Sequence, residues 1–247
     1  MPETRAQFLG VPLDPLTMDE TVARCAELIR EGRPVQHVVL NAGKCVLMED
    51  EPDVRDIVRR CDLVNADGQG VVWAARFLGL RVPERVAGID LMGRLLALCE
   101  SEGWAVYFLG AKDDVLASFE AVVKQKHPRL VVAGCRNGYF GADEEVGIAG
   151  AIRESGSRLL LVATSSPMKE RFLARNMKRM GPLLAMGVGG SFDVWAGKAS
   201  RAPLWMQRVG LEWFHRFAQE PRRMWRRYLL GNLRFAWIVL HEKFSKG

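Results

Sequence analysis

At 247 residues, 49% of them hydrophobic, the chain can bury a substantial core, which excludes a disordered tail protein. Its formal charge of +6 is unevenly placed: residues 201–247 hold ten Lys and Arg against three Glu, leaving 25 basic against 26 acidic residues before them. The body is therefore neutral and lacks the extended basic surface that a nucleic-acid-binding protein needs.

The opening stretch MPETRAQFLG has no apolar run and does not read as a signal peptide. In TMDETVARCAELIREG, Thr17 and Glu20 have the spacing of a capping box, and the apolar residues behind them recur at helical intervals. HVVLNA reads as a strand feeding one long helical stretch, GKCVLMEDEPDVRDIVRRC. WAVYFLG, RLVVAGC, RLLLVAT and PLLAMGVG are near-continuous apolar runs of strand length, with DDVLASFEAVVKQKH and MKERFLARNMKRM as helices between them. Strands buried on both faces read this way, so the expected fold class is α/β: a Rossmann-like, largely parallel sheet covered by helices. Around Pro203 the pattern turns to Trp- and Arg-rich helical segments, which divides the chain into a body (1–197) and a C-terminal helical appendage (198–247). No run of ~18 apolar residues offers a bilayer-crossing helix. The five cysteines lie at least sixteen residues apart with no CxxC pair, which predicts buried thiols in a reducing compartment.

Ligands of such sheets bind beyond the carboxyl ends of the strands, which directs attention to four loops: NAGK (41–44), NADGQG (65–70), TSSPMKE (164–170) and GVGGSFD (187–193). In the second, glycines bracket Gln69 directly after Asp67, so backbone can approach a ligand with a carboxylate alongside. Asp67 is a candidate general base, although Ala-Asp-Gly is also ordinary turn chemistry. In the third, Ser166 is positioned to cap a helix beginning at Pro167, either as a plain N-cap or as a cradle for phosphate or sugar. GVGGSF departs from the dinucleotide fingerprint, and no P-loop or nucleophile elbow is present. The histidines, His37, His127, His215 and His241, form no metal-binding spacing and read as core or surface residues. With no Asp-x-Asp pair to anchor a divalent cation, no metal and no cofactor are expected, and any nucleotide diphosphate must be neutralised by arginine.

NADGQGVV, Arg85 in RVAGIDL, VYFLGA, GYF, SSPMKE, GVGGSFDVWAGKASRAP and GLEWFHRFAQEPRRMWRRYL occur in an order that resembles the WecG/TagA/CpsF glycosyltransferases over residues 8 to 235. That resemblance implies a metal-independent, inverting transferase. It would move N-acetylmannosamine, its uronic acid or glucose from a UDP donor to a polyprenyl-diphosphate-linked sugar in bacterial surface-glycan synthesis. It places Asp67 as catalytic base and Asn41, Arg85 and Lys169 in the pocket, with Arg216, Arg223 and Arg226 of the appendage closing over the nucleotide; Gln69, between its two glycines, is a further candidate to bind substrate. Relatives form dimers, so a homo-oligomer is also an expectation.

Two positions depart from the family pattern. Lys169 stands where a glutamine is usual, either contacting a donor carboxylate or phosphate or pointing into solvent, and Val39 stands where a threonine is common. The basic tail admits three readings: a solvated helix packed on the body, an active-site lid, or a contact with an anionic membrane surface through Arg222, Arg227, Arg234, Trp225 and Trp237. A lipid-carried acceptor favours a cytoplasmic protein held peripherally on the inner face of the membrane. The alternatives are a nucleotide-binding oxidoreductase and a single-stranded nucleic-acid-binding protein.

Overall fold

The computed structural model describes residues 5–219 and 229–245. The capping box forms as expected: Thr17 Oγ1 accepts the Glu20 N–H at 3.2 Å, and the Glu20 carboxylate accepts the Thr17 N–H at 2.8 Å. It starts α1 (Met18–Arg30), which is preceded by a short antiparallel pair, β1 (Ala6–Phe8) and β2 (Val11–Leu13). That pair went unread in the sequence, because three-residue strands leave too short an alternation to recognise.

The chain then alternates strand and helix: β3 (Val35–Leu40), α2 (Ala42–Asp50), α3 (Pro52–Arg59), β4 (Leu63–Ala66), α4 (Gln69–Phe77), α5 (Gly88–Glu102), β5 (Val106–Gly110), α6 (Asp113–Lys126), β6 (Val132–Arg136), α7 (Glu145–Glu154), β7 (Leu159–Ala163), α8 (Met168–Met180), β8 (Leu184–Gly187) and α9 (Ser191–Trp195). Appended to it are α10 (Leu204–Arg208), α11 (Glu212–Gln219) and α12 (Gly231–Ser245). The stretch read as one helix after β3 is two. Pro52 lacks the N–H that a continuing helix would use and instead opens α3 at its first turn.

Six strands form one sheet in the order β4-β3-β8-β7-β5-β6, and each neighbouring pair is parallel. The apolar runs are continuous because both faces are covered. Along β7, Leu159 and Leu161 enter one core with Phe108 and Phe119, whereas Leu160 and Val162 enter a second with Phe172 and Leu173. β3 divides likewise, Val35 and Val39 to the first face and Val38 and Leu40 to a third cluster with α2 and α4. Each fully buried Leu, Val or Phe contributes about 1.5–3 kcal/mol relative to exposure, so the alternation fixes the register of every strand. β6 is the exception. It lies at the sheet edge with no fully buried residue, and Cys135 on it is exposed, against the expectation of buried thiols that Cys25, Cys45, Cys61 and Cys99 meet. No described helix is long and apolar enough to cross a membrane.

Candidate active site

Four of the strands, β4, β3, β8 and β7, end side by side, and the loops leaving them carry the residues singled out above. The Asp67 N–H donates to the Leu40 carbonyl at 2.7 Å, so Asp67 and Asn41 leave adjacent strand ends together. Gly68 follows with φ +98°, a left-handed conformation that a side chain would strain, and this turn starts α4 immediately after the carboxylate. The segment entering α5 runs back along β4, with the Val86 N–H bonded to the Ala66 carbonyl at 2.9 Å. Arg76 of α4 clamps that segment by donating to the Val82 and Pro83 carbonyls at 3.0 and 2.7 Å. Arg85 is thereby fixed beside the end of β4.

Asp67 Oδ2 lies 3.8 Å from where a Cβ on Gly88, the first residue of α5, would stand, and Val39 and Met186 wall the same spot. A fifteen-residue helix directs partial positive charge toward its start, which suits an ionised carboxylate there. Asn41 caps α2 through Oδ1, which accepts the Lys44 N–H at 2.9 Å. Its amide NH2 is then the group it can offer a ligand. Gln69 opens α4 and packs under the turn before α11. A Cβ on Gly210 would stand 2.8 Å from its own Cβ, so the appendage backbone approaches at a distance that only glycine permits.

Lys169 does not point into solvent. It is buried, and its ammonium donates to Ser166 Oγ and lies 3.5 Å from Glu170 Oε1. Glu170 Oε1 also pairs with the Lys44 ammonium, in contact with both lysines, and accepts from Ser166 Oγ at 3.0 Å. Gly187 makes room for this arrangement, because a Cβ there would stand 2.9 Å from Lys169 Cδ. Burial by itself would raise the Glu170 carboxyl, but the charges of Lys44 and Lys169 and the Lys44 hydrogen bond outweigh it and hold it below its usual 4.5. Ser166 is therefore not the helix cap expected of it. Pro167 occupies the N-cap with no side-chain bond, α8 begins at Met168, and the Ser166 hydroxyl turns to the lysine and glutamate instead.

Arg85 is also engaged: its Nη1 donates to Oε2 of Glu212, the first residue of α11. Glu212 Oε1 is 3.5 Å from Arg201 Nε, and Arg201 grips both oxygens of Asp90 at 2.6 and 2.7 Å. Arg216 falls on α11, but its side chain, like the whole of Arg223 and Arg226, lies outside the described residues. The strand ends thus gather Asn41, Asp67, Gln69, Arg85 and Lys169 along one edge of the sheet.

The model of the glycosyl transferase WecG/TagA/CpsF family matches residues 6–247. The chain belongs to that family. This WecG/TagA/CpsF protein is accordingly a glycosyltransferase of cell-surface polysaccharide synthesis, and the oxidoreductase alternative falls. Within this glycosyltransferase, sequence reasoning passed over Lys44, Glu170, Arg201 and Glu212, although all four lie inside the quoted motifs NAGK, TSSPMKE, SRAP and GLEW. Their signal was charge without an obvious solvent-facing pattern, which single positions in a loop do not reveal. Among the described residues, no three His, Cys, Asp or Glu side chains gather in a metal-holding group. His37 is a core residue, its Nε2 2.9 Å from Asn65 Oδ1, and burial pushes its pKa down to about 4.

Proposed function

We propose that this glycosyltransferase is inverting and metal-independent, and that it transfers a sugar of the N-acetylmannosamine, uronic acid or glucose type from UDP to a polyprenyl-diphosphate-linked sugar. The observation carrying the reading is Asp67 at the end of β4, between the start of α5 and the Arg85 segment. The end of β4 then offers a carboxylate for a proton and a guanidinium for a diphosphate.

In the reaction, the Asp67 carboxylate accepts the proton of the acceptor hydroxyl as that oxygen attacks the anomeric carbon. The bond to the β-phosphate oxygen breaks on the opposite face and UDP departs. A single displacement inverts the anomeric configuration. Arg85, joined by Arg216, Arg223 and Arg226, stabilises the leaving diphosphate, because guanidinium binds phosphate oxygens bidentately and keeps its charge. The sequence has no Asp-x-Asp pair for a bridging cation, which supports arginine in that role. Asn41, Gln69 and Lys169 orient the donor, and the position of the Lys169 ammonium at the ends of β7 and β8 favours an acidic sugar or a phosphate.

The appendage holds the enzyme on the inner face of the membrane, where the lipid-linked acceptor resides. Leu233, Trp237, Leu240 and Phe244 support this, since they recur at helical spacing along α12 and are all exposed. Arg234 is not free for lipid, because it pairs with Asp50 of α2 at 2.8 Å.

The test is Asp67→Asn assayed with a panel of UDP-sugars and a synthetic polyprenyl-diphosphate sugar. Transfer should fall at least ~100-fold, since a positioned general base supplies about 10²–10⁴ in rate, while the circular dichroism spectrum stays unchanged. Retention of more than about a tenth of the rate would remove Asp67 from that role.

A further inference from the structure

Arg85 holds an anion, and that anion comes from the appendage. Glu212 opens α11, and its carboxylate is suspended between two guanidiniums: Arg85 on Oε2, and Arg201 Nε 3.5 Å from Oε1. The Arg85 side chain is only 14% exposed, so its charge is largely withdrawn from water and this pairing replaces much of its hydration. Arg201 has its two terminal nitrogens committed to Asp90 at 2.6 and 2.7 Å, which leaves Nε as the donor facing Glu212.

We propose that Glu212 is an internal competitor of the donor diphosphate for Arg85, and that Arg201 is the positioning residue that receives the carboxylate when the diphosphate displaces it. The proposal rests on the reading of the donor as a nucleoside-diphosphate sugar. Carboxylate and phosphate offer the arginine fork similar oxygen pairs, so either fits the same guanidinium. A diphosphate brings more than one negative charge and prevails at close range. Displacement would leave Glu212 unpaired at a partly buried position, but Arg201 Nε needs to approach by only a few tenths of an ångström to form an ordinary hydrogen bond. The exchange moves the first residue of α11, and with it Trp213 and Phe214, whose rings meet edge to face at 5.8 Å. The start of the appendage is thus tethered to Arg85 through Glu212 and released as the donor arrives.

A site that is open only part of the time has its apparent affinity reduced by that fraction. Isothermal titration with UDP should therefore show Glu212→Gln binding about five- to tenfold more tightly than the wild type. Arg201→Met should bind more weakly than wild type, because the displaced carboxylate has lost its second partner. The double variant Glu212→Gln/Arg201→Met should return to the affinity of Glu212→Gln alone, since no charge then needs a new partner. Equal or weaker binding by Glu212→Gln, or a double variant as weak as Arg201→Met, overturns the competitor while leaving the donor reading intact. If no form binds UDP, wild type included, the donor reading falls and the competitor with it.

Discussion

Lys44, Lys169 and Glu170 put two ammonium groups on one carboxylate beyond the carboxyl ends of β3 and β7, with the Lys44 and Glu170 side chains 6% and 3% exposed. Such a group tolerates no missing member: removing one partner of a buried pair costs about 3–5 kcal/mol, because the other charge stays buried without compensation. Glu170→Gln should therefore lower stability by about that amount at neutral pH, read by urea denaturation. The pH dependence has a definite sign. The folded carboxyl titrates below 4.5, so above that pH both states are ionised and the stabilisation is complete. As the pH falls, the unfolded chain takes up the proton first and stability is lost until the folded carboxyl titrates as well. As the pH falls through about 4.5 and below, the wild type should lose stability more steeply than Glu170→Gln. Glu145, whose carboxyl is also lowered, chiefly by Arg175, remains in both proteins and cancels in the comparison. Parallel slopes would show that the glutamate is not the charge that holds the two lysines.

At the scale of elements, the strands were legible in the sequence because burial on both faces writes itself as unbroken apolar runs, as in Leu159–Ala163. The Thr17 cap was legible because its chemistry is local. What escaped was non-local. The break at Pro52 was hidden by apolar spacing that continues across it, and Ser166 reads as a cap until the buried lysine and glutamate that claim its hydroxyl are brought to it by the fold. The same limit divides α12. Phe235, Ile238 and Val239 are buried, whereas Leu233, Trp237, Leu240 and Phe244 are exposed, a partition that the continuous apolar run FAWIVL conceals. The exposed row is the one proposed to meet the bilayer. Trp237→Ser with Phe244→Ser should weaken co-sedimentation with vesicles of anionic phospholipid at least ~tenfold, given ~1.5–3 kcal/mol for each fully buried apolar side chain. Turnover of a soluble acceptor analogue should be unaffected. Lost turnover with unchanged vesicle binding would place those side chains in the catalytic unit rather than at the membrane.

At the scale of the molecule, the division into a body (1–197) and an appendage (198–247) is a proposal on which charge and burial bear differently. Charge divides sharply near residue 200, yet burial does not: Phe235 and Val239 belong to the same cluster as Cys45 and Met48 of α2 and Leu40 of β3. Arg234 bonds Asp50, and Arg201 bonds Asp90, so the start of the appendage and α12 are each also tied to the body by an ion pair. The partly exposed ion pairs add little, about 0–1 kcal/mol each. Burial contributes more, because Phe235, Ile238 and Val239 together are worth of order 5 kcal/mol. Truncation after residue 197 would uncover the α2 surface beneath them and leave Arg85 without Glu212. For a chain of this length, each kcal/mol moves the melting temperature by about 2–4 °C, so the truncated protein should melt at least ~10 °C lower in calorimetry. An appendage that is merely attached would leave the body's transition where it was. The expected fall follows from α12 completing the core over α2, the helix whose first turn is capped by Asn41. Through that helix, loss of the appendage should loosen the donor site even for substrates that never touch a membrane.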